Sequence, residues 1–186
     1  MTDGEIVKLF SERSETAIAA AMEKYHSYCM KIAVNILGSR EEAEECVNDA
    51  FLKAWDMIPP HMPQMLSTFL GKITRNLAIN RYRQGLAVKR GNGECALAFE
   101  EMSELVSDGS CVESEAERRE LVGEINAFLK TLPERKRDIF VCRYWFCDSI
   151  GEISREFSLS ESNVSVILNR IRKKLREYLR KRGYFS

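Results

Sequence analysis

Apolar side chains recur every three or four residues along most of this 186-residue chain, and alternation with a period of two is almost absent. The first pattern places apolar side chains on one face of an α-helix, whereas a half-buried strand needs the second. One clear stripe is formed by Ala43, Val47, Ala50 and Ala54. The sequence therefore predicts an all-α protein.

The helical periodicity decays in one place, between residues 86 and 113. Glycines and serines interrupt it there, among them Gly91, Gly93 and Ser107, and acidic residues outnumber basic ones. Such a composition is typical of segments that bury too little apolar surface to fold. We therefore predict two small helical domains, at 1–85 and 114–186, joined by a flexible acidic linker at 86–113.

Several classes of function are made improbable by the residues that the chain lacks. The six cysteines form no CxxC pair, so we expect reduced thiols and no metal. The chain begins with acidic Asp3 and Glu5, from which we expect no secretory leader, and it has no apolar run near the roughly 20 residues that cross a bilayer. We therefore expect a cytoplasmic protein without membrane insertion. We also find no pair of catalytic groups on a shared face, and expect no enzyme, cofactor or small-molecule substrate.

Two short helical stripes, separated by a three-residue break, lie in the last quarter of the chain. Ile150, Ile153 and Phe157 form the first stripe, and the break runs from Ser158 to Ser160. The second stripe contains Val164, Ile167, Leu168, Ile171 and Leu175. These lengths predict a helix-turn-helix, in which the first helix braces the second so that its N-terminal end enters the DNA major groove.

Basic residues are concentrated on the surface of that second helix. They are Arg170, Arg172, Lys173, Lys174, Arg176, Arg180, Lys181 and Arg182. Glu177 is the one acidic residue among them. Cations also complement a helix C-terminus, but a one-sided stripe beside a helix-turn-helix favours a phosphate-binding surface.

Two other polar helix faces each leave two interpretations open. A basic face follows Phe69 and contains Lys72, Arg75, Asn76, Asn80, Arg81 and Arg83. It could hold a single nucleic-acid strand, or it could be an ordinary solvated surface. An acidic face contains Glu41, Glu42, Glu44, Glu45 and Asp49, and could be solvated or could dock a basic partner.

Three stretches of the chain, in order, resemble one protein family. EAEECVNDAFLKAW at 42–55 resembles the polymerase-docking helix of bacterial RNA polymerase sigma factors, and FLGKITRNLAINR at 69–81 resembles their promoter-melting helix. LPERKRDIF at 132–140 and the helix-turn-helix after it resemble their fourth conserved region. The likeness is to the compact extracytoplasmic-function group of the sigma-70 family, which has only regions two and four.

The resemblance implies a sigma factor that binds core RNA polymerase and directs promoter recognition and transcription initiation. It implies polymerase binding by Glu42, Glu45, Asn48, Asp49 and Trp55. It implies that the single-stranded −10 element binds Lys72, Arg75, Asn76, Asn80, Arg81 and Arg83. It implies that the duplex −35 element binds Ser160, Glu161, Ser162, Asn163, Ser165, Val166, Asn169, Arg170, Arg172 and Lys173. An anti-sigma factor is a common further partner in this group.

The family also implies an identity for each predicted domain: 1–85 would be region two and 114–186 would be region four. The residues alone leave open a second function, that of a stand-alone dimeric helix-turn-helix repressor or activator. Such a protein would bind a palindromic site without polymerase. A sigma factor should bind its promoter tightly only together with the core enzyme.

Overall fold

A computed structural model of the protein describes residues 1–86, 93–106 and 115–184. The described residues form nine α-helices and no strand, which confirms the all-α prediction. The helices are α1 (Asp3–Ser11), α2 (Thr16–Leu37), α3 (Arg40–Met57), α4 (Leu66–Leu86), α5 (Gly93–Val106), α6 (Glu115–Thr131), α7 (Glu134–Tyr144), α8 (Ile150–Phe157) and α9 (Glu161–Arg180). The chain divides into two compact units, Met1–Asn92 (unit 1) and Gly93–Ser186 (unit 2).

In unit 1, helices α2, α3 and α4 pack against one another, and α1 packs on α2. Gly38 ends α2 in the left-handed conformation, with a φ of 71°. Ser39 then begins α3, because its hydroxyl oxygen accepts a hydrogen bond from the Glu42 amide at 3.3 Å. The predicted apolar stripe of α3 is buried, as are these core side chains: Ile6, Phe10, Ile32, Ile36, Val47, Phe51, Leu66 and Leu70.

Gly71 of α4 lies against the Tyr28 side chain of α2. A Cβ atom at this position would lie 2.6 Å from the hydroxyl oxygen of Tyr28. That distance is too short for a non-bonded contact, so a larger residue here would have to displace the Tyr28 ring. The predicted −10 residues lie on the other side of α4.

Unit 2 is built on α7, α8 and α9, with α6 packed against α9. Ser149 begins α8 with a capping box that it forms with Glu152, and Ser160 caps α9. Ser158 lies between the two helices in the left-handed conformation, with a φ of 50°. The buried core contains these residues of α7, α8 and α9: Ile139, Phe140, Ile153, Val164, Leu168, Ile171, Leu175 and Leu179. The other predicted stripe residues, Ile150, Phe157 and Ile167, are partly buried against it. These positions confirm the helix-turn-helix.

Helix α5 lies inside the segment predicted to be a linker. Its small apolar side chains point into unit 2, where Cys95 and Ala98 are buried and Met102 packs against the core. The prediction of an irregular linker is therefore wrong for residues 93–106. Cys95, Ala98 and Met102 are three and four residues apart, which is a helical spacing. The acidic residues between them gave the segment the composition of a linker. The rest of the predicted linker, 87–92 and 107–113, lies outside the described residues.

Candidate nucleic-acid and polymerase interfaces

Helix α9 and its N-cap present the predicted −35 residues to solvent, with one exception. The exposed residues are Ser160, Glu161, Ser162, Asn163, Ser165, Val166, Asn169, Arg170 and Lys173. Because Val164, Leu168 and Ile171 face the core, the helical period places Ser162, Val166, Asn169 and Lys173 on the opposite face. The end of α9 that a helix-turn-helix inserts into DNA therefore carries both polar groups and an exposed apolar side chain.

The turn before α9 is held firmly by side chains that bond to the backbone. Ser154 donates to the Leu159 carbonyl oxygen at 2.6 Å, and Arg135 donates to the Phe157 carbonyl oxygen. At the start of α9, the Ser160 hydroxyl oxygen accepts from the Asn163 amide at 3.2 Å. These bonds fix the direction of α9 relative to α8, which is the requirement for a helix that reads a groove.

Arg172 is the exception among the predicted −35 residues. Its side chain is only 20% exposed, and its Nη1 atom donates to Glu101 Oε2 and to the Tyr144 hydroxyl oxygen, both at 2.6 Å. Glu101 lies on α5 and also accepts bonds from Tyr144 at 2.7 Å and from Arg143 at 3.0 Å. The structure thus separates Arg172 from the exposed cations and makes it part of an internal network.

Electrostatics keep this network in one protonation state. Burial would raise the pKa of Glu101, but the hydrogen bonds from Tyr144 and Arg143 and the charges of Arg143 and Arg172 outweigh it, so the pKa lies below its usual value. Burial, followed by the nearby Glu101 carboxylate, raises the pKa of Tyr144. Glu101 is therefore charged and Tyr144 neutral near pH 7, as their hydrogen bond requires.

The predicted −10 residues of α4 divide into two groups. Lys72, Asn76, Asn80 and Arg83 are exposed at a helical spacing that places them on one face, and Arg75 lies half-buried beside them. Arg81 points the other way, toward α3. Its guanidinium donates to Glu45 Oε2 at 3.2 Å and to Asp49 Oδ2. A predicted DNA-binding residue is thus paired with two predicted polymerase-binding residues.

The acidic face of α3 is exposed at Glu42, Glu45, Asn48 and Asp49. Leu52, which was not among the predicted residues, is 56% exposed on the same face. Its spacing of three and four residues from Asp49 and Asn48 could have identified it. Leu52 therefore offers an apolar contact beside carboxylates that attract a basic partner.

Trp55 follows Leu52 by three residues at the end of that face, but it is half-buried rather than exposed. Its ring lies against Phe10, with 6.1 Å between ring centroids, and the Arg13 guanidinium lies 5.2 Å from the indole centroid. Arg13 also donates to the Trp55 carbonyl oxygen at 2.5 Å. The structure thus places Trp55 in a contact between α3 and the N-terminal segment rather than among the exposed acidic residues.

One group of described residues brings three potential metal ligands together. The ligand atoms of Cys142, Asp148 and Glu156 lie within 4.8 Å of one another. The Arg143 side chain is bound at the same place, since its Nη1 atom donates to the Asp148 carbonyl oxygen at 3.1 Å. A fixed cation beside the group disfavours a divalent ion, and the absence of a metal stays a prediction.

No helix among the described residues combines the length and the apolar character that crossing a membrane requires.

Comparison with known proteins agrees with this arrangement. Residues 21–86 match the family described as Sigma-70 region 2, and residues 128–177 match the family described as Sigma-70, region 4. The ECF RNA polymerase sigma factor SigW of Bacillus subtilis (strain 168) is 27% identical over 177 residues. That alignment covers 94% of this chain and 95% of SigW.

The helix-turn-helix of unit 2 and the charged helical bundle of unit 1 define a DNA-binding transcription protein. Both matches fall in one family and follow its order along the chain. The chain belongs to the extracytoplasmic-function (ECF) group of the sigma-70 family, and it functions as an RNA polymerase sigma factor in promoter recognition. The resemblance that the sequence motifs indicated is confirmed.

Proposed function

We propose that the chain divides promoter recognition among three separate helix faces. The acidic face of α3 binds core RNA polymerase, α4 holds the single-stranded −10 element, and α9 binds the duplex −35 element. Residues 1–85 would then act as region two and 114–186 as region four. The chain would have no catalytic activity of its own and would work in the cytoplasm beside polymerase, with an anti-sigma factor as a further partner.

The observation that carries this proposal is the segregation of exposed charge. Carboxylates are exposed on the outer face of α3, and cations are exposed on the outer faces of α4 and α9. The chain as a whole has 28 basic and 28 acidic residues, so its net charge does not attract a polyanion. The attraction comes from the way the charges are distributed over the surface. Phosphate binding requires local positive charge, and a basic partner helix requires local negative charge.

For the −35 element, the structure changes which cations we assign to phosphates. Arg172 is bound to Glu101 and Tyr144, so Arg170 and Lys173 are better placed for the DNA backbone. The exposed Val166 side chain could contact a thymine methyl group, and Asn163 and Asn169 carry amides that suit base edges.

For the −10 element, α4 and α3 form a groove of about 400 Å³. It is lined by Lys53, Met57, His61, Phe69, Lys72, Ile73 and Asn76. Aromatic rings, cations and an amide in one open groove suit an unstacked base, which gains stacking and hydrogen bonds in place of those lost from the duplex. His61 and Phe69 lie with 6.3 Å between their ring centroids.

Binding to a −35 duplex and binding to core polymerase, measured separately for each variant, test the division of labour. Replacing Arg170 and Lys173 by alanine should weaken −35 binding and make its salt dependence shallower by about 2 in logarithmic slope, at about 0.9 per phosphate contact. Binding to core polymerase should not change. Lys130→Ala is the matched control, because Lys130 is an exposed cation of unit 2 that lies on α6 rather than on α9.

Asp49→Lys should have the opposite effect, weakening core binding and leaving the −35 contact of the isolated protein intact. If both sets of variants lose core binding and −35 binding to the same degree, the assignment of separate faces is wrong. A gel shift with and without core polymerase tests the alternative function. Tight dimeric binding of a palindrome by the free protein would support a stand-alone repressor or activator instead.

A further inference from the structure

Two cysteine thiols lie in contact where α5 packs against the rest of unit 2. The Sγ atoms of Cys95 on α5 and Cys147 lie 3.2 Å apart, and both residues are buried. Both are thiols in this structure. A disulfide bond is about 2.05 Å long, so the two sulfur atoms need to approach by only about 1 Å to bond.

The position of Cys147 is also unusual. It lies in the turn between α7 and α8 with a φ of 57°, a conformation that glycine or asparagine usually occupies. The Asp148 amide closes the turn by donating to the Cys142 carbonyl oxygen at 3.0 Å. A cysteine held in the left-handed region, with its sulfur against a second cysteine 52 positions away, indicates a site where the thiol itself has a use.

Access to these buried sulfur atoms depends on α5. This helix contributes mainly small apolar groups to unit 2, Cys95 and Ala98, together with the half-buried Met102. A helix that buries so little apolar surface detaches at a lower free-energy cost than the whole unit unfolds. Detachment would expose Cys95, and return of the helix would bring the two thiols together again.

We infer that Cys95 and Cys147 are a thiol–disulfide site, which a peroxide oxidises and a dithiol reduces, and that the disulfide fixes α5 on unit 2. This inference concerns unit 2 alone and does not depend on the proposed roles in promoter binding. The disulfide would also affect α9. Because Glu101 lies on α5, the disulfide would keep the Glu101 carboxylate in its hydrogen bond with Arg172 of α9.

The oxidation takes two steps. One thiolate attacks a peroxide oxygen, the O–O bond breaks, and the sulfur becomes a sulfenic acid as one water leaves. The second thiolate then attacks that sulfur, the S–S bond forms, the S–O bond breaks, and a second water leaves. The two thiols lose two protons and two electrons in total, and one hydrogen peroxide becomes two waters.

Peptide mapping of the full-length protein tests the inference. The folded protein is treated with hydrogen peroxide, its remaining thiols are alkylated, and the digest is analysed by mass spectrometry without reduction. Cys95 and Cys111 share the tryptic peptide 91–118, so a second cleavage at glutamates separates them. We expect a cross-link between Cys95 and Cys147 in large excess over every other pair, and its complete loss after treatment with dithiothreitol.

Three comparisons make the result decisive. Oxidation in concentrated urea should scatter the cross-links among the six cysteines, because the preference for one pair comes from the fold. Cys142→Ala removes another buried thiol of unit 2 and should leave the cross-link in place, whereas Cys95→Ala and Cys147→Ala should each abolish it. Dominant pairing of Cys95 with Cys111, or protection of both thiols from peroxide in the folded protein, would overturn the inference and leave the two residues as packing groups.

Discussion

The network around Glu101 gives the sharpest test of how α5 is held in unit 2. We predict that Glu101→Gln destabilises unit 2, because it removes the negative charge that faces Arg143 and Arg172. The Arg143 side chain is 1% exposed, while those of Arg172 and Glu101 are 20% and 26% exposed. Removing one partner of a fully buried ion pair costs about 3–5 kcal/mol, and an exposed pair contributes about 0.2–1 kcal/mol. For a carboxylate that is partly solvated, we expect a loss of about 2–3 kcal/mol.

Tryptophan fluorescence can measure this loss in the full-length protein. The chain has two tryptophans, Trp55 in unit 1 and Trp145 in unit 2, so a Trp55→Phe background leaves a reporter of unit 2 alone. The urea midpoint of the Glu101→Gln variant should fall by about 1–3 M, for a slope of about 1–2 kcal/mol/M. Glu100→Gln is the control, because this neighbouring carboxylate is exposed, and its midpoint should change little.

The destabilisation caused by Glu101→Gln should also decrease as the pH falls. The pKa of Glu101 is lower in the folded protein than in the unfolded chain, so its charge stabilises unit 2 above the unfolded pKa. That contribution is lost as the pH falls through the folded pKa. The difference in stability between wild type and Glu101→Gln should therefore be full at pH 7 and should close in acid. A difference that stays constant into acid, or equal effects of Glu101→Gln and Glu100→Gln, would refute the reasoning.

Three further predictions concern stability and are measured by urea unfolding. Gly71→Ala should destabilise unit 1 by about 1–3 kcal/mol, because its methyl group would lie 2.6 Å from the Tyr28 hydroxyl oxygen, and Tyr28→Phe should restore part of the loss. Ser158→Gly should stabilise unit 2 by about 1 kcal/mol, since glycine adopts a φ of 50° without steric cost, and an unchanged midpoint would contradict this. Ser149→Ala should destabilise unit 2 by about 1 kcal/mol through loss of the capping box, with the exposed Ser162→Ala as control.

The sequence alone predicted those features that depend on residues close together in the chain. The stripe of Val164, Leu168 and Ile171 determines which side of α9 is buried, and a helix period then determines which side is exposed. The same reasoning correctly placed the buried face of α3. The cap at Ser160 could also be predicted, because its partner is three residues away.

Contacts between distant residues could not be predicted in this way. Arg172 looked like one more cation in a basic stripe, but its partner Glu101 lies 71 positions away on a helix that the sequence did not predict. Arg81 likewise pairs with Asp49 at a separation of 32 positions. A periodic pattern identifies the side of a helix that is buried. It carries no information about which charged side chain of another helix will form an ion pair with it.

The ion pair between Arg81 and Asp49 couples the two proposed binding surfaces of unit 1, the one on α3 and the one on α4. A basic partner helix that binds Asp49 competes with Arg81 for the same carboxylate, and each such exchange releases a guanidinium at the edge of α4. That cation would add to the positive field along α4. Occupancy of α3 would then increase the affinity of α4 for a polyanion, and the thermodynamic cycle requires the reverse effect to be equally large.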